Sequence, residues 1–170
     1  MVEKMVTEAI VNTEVDTEVK IRPATWLDSM NITAMWMKMY LEIIKREAML
    51  KEVSNVKNLF NQVVTRLDDP NWIILIAEEE GKIAGFIMGK VHWPLYSQCH
   101  IIGTCETLYV YPEYRGKGIY KQLIEEGRKI MVEKGVVDIE FICVNDKRVL
   151  DLYDKLGYEP VKVVLRQKEK

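Results

Sequence analysis

The sequence predicts a mixed α/β domain: a central, mostly antiparallel sheet containing one parallel β-α-β crossover, with helices on both faces. Three observations predict it. Two stretches with helical apolar spacing come early, after one short strand-like segment. Three strand-like stretches then follow one another, the first two joined by a short turn, which favours antiparallel neighbours. The last of them enters a glycine-containing turn, a helix and a further strand, the order of a parallel crossover unit.

Taken in order, residues 1–18 alternate Val with Glu, Thr and Asp and are expected to form a flexible segment ahead of a single domain over 19–170. Val19-Lys20-Ile21-Arg22 alternates and stops at Pro23, a first strand. A helix capped by Asp28 or Ser29 is expected from about Leu27 to Leu50, with Trp36, Met37, Tyr40, Ile44 and Met49 on its apolar side. Ser54 or Asn55 caps a second, in which Val56, Leu59, Phe60, Val63, Val64 and Leu67 recur at helical spacing, and Asp68-Asp69-Pro70-Asn71 ends it. Trp72 to Glu78 is strongly apolar and β-branched, Glu80-Gly81 makes a hairpin turn, and Lys82 to Trp93 returns, with Gly85 and Gly89 as bulge or close-approach positions. Ile101 to Val110 is a strand, a helix follows it as far as Lys134 with Gly135 as its stop, and Val136 to Val144 is a strand again. Asn145 caps a short helix ended by Gly157, and Pro160 to Gln167 closes the chain as a strand.

Composition excludes several classes. A chain of 170 residues with 48% hydrophobic and 29% charged residues can bury a core without staples. A net charge of −2 supplies no electrostatic reason to expect nucleic acid. Cys99, Cys105 and Cys143 are odd in number and form no C-x-x-C pair, which reads as a reduced, cytoplasmic thiol set. No apolar run is long enough to span a membrane, residues 1–19 do not read as a signal peptide, and no His, Cys or Asp cluster has metal-ligand spacing.

The chemistry concentrates in residues 108–120. Leu108 and Val110 alternate with Tyr109 and Tyr111, Pro112 ends the strand, and Gly116 and Gly118 precede an amphipathic helix. A glycine turn that opens a helix exposes backbone N–H groups with no internal acceptor, at the positive end of the helix dipole. That is an anion site, to which Arg115 and Lys117 add charge, so a phosphate-bearing ligand is expected. The turn lacks the G-x-x-x-x-G-K-[ST] of a P-loop, and Lys121 stands where a dinucleotide fingerprint needs its third glycine.

Arg115-Gly116-Lys117-Gly118-Ile119-Tyr120, preceded by a strand and Val110-Tyr111-Pro112, resembles the pyrophosphate loop of the GNAT N-acetyltransferase family, Gln/Arg-x-x-Gly-x-Gly/Ala, with Tyr120 in place of the final Gly or Ala. A second segment, Asn145 followed by Leu152-Tyr153-Asp154-Lys155-Leu156-Gly157-Tyr158, resembles that family's N-x3-A-x2-L-Y-x-K-x-G-F/Y, with Val149 at its alanine. With the order of elements, the resemblance covers Val19 to Gln167. It implies the acyl-CoA N-acyltransferase fold, with the strand through Leu108 splayed from the strand through Ile142, and acetyl-CoA-dependent acetylation of a primary amine by direct attack in a ternary complex. The alternative is an acetyl-CoA-binding sensor or a catalytically silent module.

The resemblance also implies roles. Residues 115–120 hold the pyrophosphate; the backbone of Leu108, Tyr109 and Val110, with Asn145, holds the pantetheine arm; and the N–H of Val110 or of a neighbour is a candidate oxyanion donor. Tyr153 protonates the leaving thiolate, or else is core. Strand alternation puts Thr104, Glu106, Leu108 and Val110 on one face, which makes Glu106 the candidate base, with His92, His100 or a water as alternatives. Trp36, Tyr40, Trp93, Pro94, Leu95 and Tyr96 are candidate acceptor walls, although Trp36 and Tyr40, at i and i+4, read equally as core packing. A homodimer is the expected assembly, with no metal, membrane or nucleic-acid partner.

Overall fold

β1 (Val19–Pro23), a 3-10 turn (Trp26–Asp28), α1 (Ser29–Arg46), α2 (Val56–Leu67), β2 (Trp72–Glu79), β3 (Lys82–His92), β4 (Ile101–Val110), a second 3-10 turn (Pro112–Tyr114), α3 (Ile119–Glu133), β5 (Val136–Phe141) and α4 (Lys147–Lys155) follow one another in a computed structural model. It describes residues 18–46, 55–94, 100–143 and 147–160. The segment ahead of residue 18, the continuation of the first helix to Leu50, the wall residues Leu95 and Tyr96, the cap Asn145 and the closing strand past residue 160 lie outside the described residues.

The five strands pair in sequence order, antiparallel from β1 to β4 and parallel between β4 and β5. The β2–β3 hairpin closes on Glu80 and Gly81, both at positive φ (52° and 74°), the primed-turn geometry that matches strand twist. β2 is apolar without alternation because both its faces are covered. Ile73 and Leu75 pack with Leu123, Ile124 and Met131 of α3, while Ile74 and Ile76 pack with Ile32 and Met35 of α1 and Val63 of α2. Gly89 and Gly103 let α3 settle on the sheet, since a Cβ at either would come within 2.8 and 2.5 Å of the Met131 side chain.

A β-bulge sets the site. Met88 faces Thr107 and Gly89 faces Cys105, so Glu106 is the extra residue. β4 also stops pairing with β5 here. Cys105 opposite Phe141 is the final register pair, and the Ile142 N–H donates to the Cys105 carbonyl at 2.9 Å. β5 therefore ends at Phe141, before its expected end at Val144.

The first helix begins differently from the expected Asp28 or Ser29 cap. Thr25 and Asp28 form a capping box around the 3-10 turn that runs into α1. Asp28 also takes both terminal nitrogens of Arg22 at 2.9 Å, which with the Thr25 N–H pulls its carboxyl down from 3.8 to about 2. Asn55 caps α2, accepting from the Lys57 N–H at 2.9 Å. Because the folded pKa of Asp28 is depressed, its contribution is complete above the ordinary carboxyl range and is lost as the pH falls from about 4 towards 2. Asp28→Asn should cost about 2 kcal/mol in urea unfolding at neutral pH, with the wild-type advantage vanishing in that acid window. A variant as stable as wild type at pH 7 would contradict the account.

Candidate functional site

The turn between β4 and α3 leaves a run of backbone donors without backbone acceptors among the described residues. Gly116 and Gly118 sit at φ 85° and 76°, where a side chain is strained, although a Cβ at either would meet nothing within 4 Å. The requirement is therefore conformational and not one of space. Arg115 N–H donates to Pro112, and the next backbone donors to find a carbonyl are Lys121 and Gln122, both on Gly118. Among the described residues, the N–H groups from Gly116 to Tyr120 have no backbone acceptor, and α3 has no side-chain cap. Tyr120, the departure from the family pattern, turns its half-buried ring against the core cluster under α3.

The two cations of the turn are already engaged. Arg115 donates from Nε to the Val110 carbonyl at 2.8 Å and from a terminal nitrogen to Glu42 of α1 at 2.9 Å. Lys117 reaches the buried Glu79 at 2.7 Å. The structure therefore makes them clamps between the turn and the neighbouring elements. Glu42 also accepts from the Tyr109 hydroxyl at 2.7 Å, and burial, then Glu42, pushes that phenol well above its ordinary range.

Alternation along the end of β4 decides what faces the splay. Tyr111 N–H donates to Ala84 on the β3 side, so Tyr109, two residues back, aims its backbone the same way and Leu108 and Val110 aim theirs at the opened side. Tyr109 is placed differently from the expectation: its backbone faces β3 and its ring lies in the core cluster under α1 and α2. Tyr153 of α4 stacks near the opening, 5.1 Å from the Phe141 ring and 5.8 Å from the Tyr158 ring by centroids. Burial pushes its hydroxyl well above the ordinary range, with the Cys105 and Cys143 thiols next, so it stays protonated at neutral pH. Burial likewise pushes the Cys105 thiol up to about 12, which leaves it no nucleophile.

The expected shared face of Thr104, Glu106, Leu108 and Val110 is corrected by the bulge. Leu108 and Val110 pack with the α3 cluster, whereas Glu106 turns to the α2 side, 3.3 Å from Lys90 and 3.9 Å from Arg66. His92 Nε2 lies 2.8 Å from the Thr104 hydroxyl on the same side, while His100 pairs with Asp138 at 3.4 Å at the start of β4. Trp36 is half-buried, its ring 5.4 Å from the Arg66 guanidinium; Tyr40 is half-buried; and Trp93 is exposed. Among the described residues there is no cluster of three or more His, Cys, Asp or Glu able to hold a metal, and no helix long and apolar enough to cross a membrane. Glu42, Arg66, Lys90 and Glu79 were not expected at the site, because their partners lie far away in sequence and no local pattern marks them.

Residues 34–158 match the model of the acetyltransferase (GNAT) family, and the chain belongs to it. Solved structures share the fold. An aminoglycoside N-acetyltransferase, AAC(6')-Iy, in complex with CoA superposes with a TM-score of 0.73 at 15% identity, covering 90% of this chain and 95% of that one. A transcriptional regulator from Bacillus halodurans gives 0.73 at 22% identity, covering 89% and 100%. An aminoglycoside acetyltransferase from an uncultured soil metagenomic sample, in complex with sisomicin, gives 0.68 at 21% identity, covering 92% and 100%.

If backbone amides are the main phosphate holders, Gly118→Val should weaken acetyl-CoA binding in calorimetry by about tenfold or more, whereas Lys117→Gln should weaken it by about threefold or less. The reverse order would assign the phosphate to the lysine charge.

Proposed function

We propose that this protein transfers the acetyl group of acetyl-CoA to a primary amine by direct attack in a ternary complex. The observation that carries this reading is the edge of β4 beyond Cys105, which pairs with no strand among the described residues and lies beside a turn whose amides have no backbone acceptor among them. An extended pantetheine arm pairs along such an edge as a strand would, with Leu108 and Val110 supplying outward backbone groups. Its pyrophosphate then falls at the N-terminus of α3, on the amides of residues 116–120. A bisubstrate analogue joining CoA to acetylneamine, bound to an enzyme of the same fold at 15% identity, supports adjacent donor and acceptor sites.

The amine nitrogen attacks the thioester carbonyl carbon, and the carbonyl oxygen becomes an oxyanion. The Val110 N–H, or a neighbouring one, serves as its donor, and the contact of Arg115 Nε with the Val110 carbonyl at 2.8 Å supports this by holding that peptide. The proton lost from nitrogen goes to Glu106, directly or through a water. The carbon–sulfur bond then breaks, the thiolate takes the Tyr153 proton, and solvent restores it. Tyr153 carries its proton at working pH, which this step requires of its acid. Asn145, by its place in the family pattern, holds the arm near α4.

Tyr153→Phe should lower kcat by about tenfold to a thousandfold while leaving the acetyl-CoA dissociation constant within about twofold. Equal kcat in both proteins would return Tyr153 to core packing with Phe141 and Tyr158. Glu106→Gln should lower kcat/KM at every pH where the amine is protonated, with the deficit shrinking as the amine deprotonates by itself. A constant deficit across pH would remove Glu106 as the base.

A further inference from the structure

We propose that the acceptor is an amine that carries its own carboxylate, of the amino-acid type, with its anion held by Arg66 and Lys90 and its amino group towards Glu106; this rests on the acetyl-transfer reading above. The argument begins with how Arg66 is held. Its guanidinium centre lies 4.4 Å from the Trp72 ring centroid and 5.4 Å from that of Trp36, and one terminal nitrogen donates to the backbone and side-chain oxygens of Gln62, each at 3.1 Å. The ring contacts and Gln62 hold the fork, and the buried Nε has no hydrogen-bond partner among the described residues. Lys90 sits beside the same Trp72 ring, 5.6 Å from its centroid. This is a preorganised pair of cations flanked by aromatic walls.

Glu106, the shared counter-ion of that pair, holds it loosely. Its contacts are 3.3 Å to Lys90 and 3.9 Å to Arg66, against 2.6 Å for Arg22–Glu78, 2.7 Å for Lys117–Glu79 and 2.9 Å for Arg115–Glu42. Charge-assisted contacts settle near about 2.7–2.9 Å when nothing else competes. An incoming carboxylate can therefore take over both cations at little cost. Doing so strips Glu106 of its counter-charges and leaves it to receive the ammonium proton, so the correct acceptor switches on its own base. The charges are also ordered across the sheet. The cations lie on α2 and β3, while Glu106 lies on β4 at the splay and β5 sets Glu140 opposite Thr104. A zwitterion laid across this array meets opposite charge at both ends. A polycation would bring charge of the same sign against Arg66 and Lys90.

The test uses the CoA-saturated full-length protein and two uncharged-versus-charged probes of one shape, N-acetylphenylalanine and N-acetylphenylalaninamide, followed by tryptophan fluorescence. The acid should bind about tenfold or more tightly than the amide. Arg66→Gln should bring the ratio close to one; because Arg66 also packs between two tryptophans, Lys90→Gln, on a more exposed side chain, serves as the second variant and should lower the ratio too. Equal binding of the two probes, tighter binding of the amide, or binding of neither overturns the proposal. Thioester consumption with phenylalanine and with phenylethylamine separates the two readings. Equal turnover of both keeps acetyl transfer and sinks the carboxylate preference. A charge-dependent binding ratio with no turnover of any amine keeps the site and sinks acetyl transfer.

Discussion

The site depends on one extra residue in β4. Glu106 has no register partner on β3, and at that point β4 leaves β5. A bulge bends its strand and strengthens the local twist, so a sheet otherwise closed by hydrogen bonds opens on one edge. Everything upstream of Cys105 is held by the parallel ladder and by α3, which sits close because Gly89 and Gly103 present no side chain. Downstream, β4 keeps its pairing with β3, and among the described residues no strand pairs with its other side, where Arg115 Nε takes the Val110 carbonyl. The same bulge reverses the side on which the acidic residue lies. Glu106 turns towards Arg66 and Lys90 while Leu108 stays with the α3 core, so the two residues lie on opposite faces of one strand.

An opened edge is of use only if it keeps its shape without a ligand, and long-range ion pairs provide that. Arg115 ties the Val110 carbonyl to Glu42 of α1, and Lys117 ties the turn to Glu79 at the end of β2. The turn is thereby fixed to α1 and to the end of β2, and Gly116 and Gly118 carry the positive φ its backbone needs. Charge in the turn serves geometry first. Tyr109 belongs to the same framework, since its ring fills the core under α1 and its hydroxyl anchors Glu42.

What was legible in the sequence is what local physics writes. The turn at 115–118 was legible because only glycine suits its backbone, the β2–β3 hairpin because Glu80-Gly81 suits a primed turn, and the ends of α3 because Gly135 stops it. The bulge was not legible. A glutamate between Cys105 and Thr107 looks like any strand residue, and strict alternation then put Glu106 on the wrong face. The partners of Arg115 and Lys117 were hidden too, being 73 and 38 residues away. Long-range pairs of charges leave no periodicity to read.

The central claim is that the free edge of β4 and the amides of the turn hold an acyl-CoA donor. Amide hydrogen exchange, measured residue by residue with and without acetyl-CoA, tests it directly. The account predicts new protection at Leu108, Val110 and the turn from Gly116 to Tyr120, and little change at Tyr109, whose N–H is already turned to β3. Protection that leaves Leu108 and Val110 unchanged, or that appears on β1 and α2 instead, would contradict it.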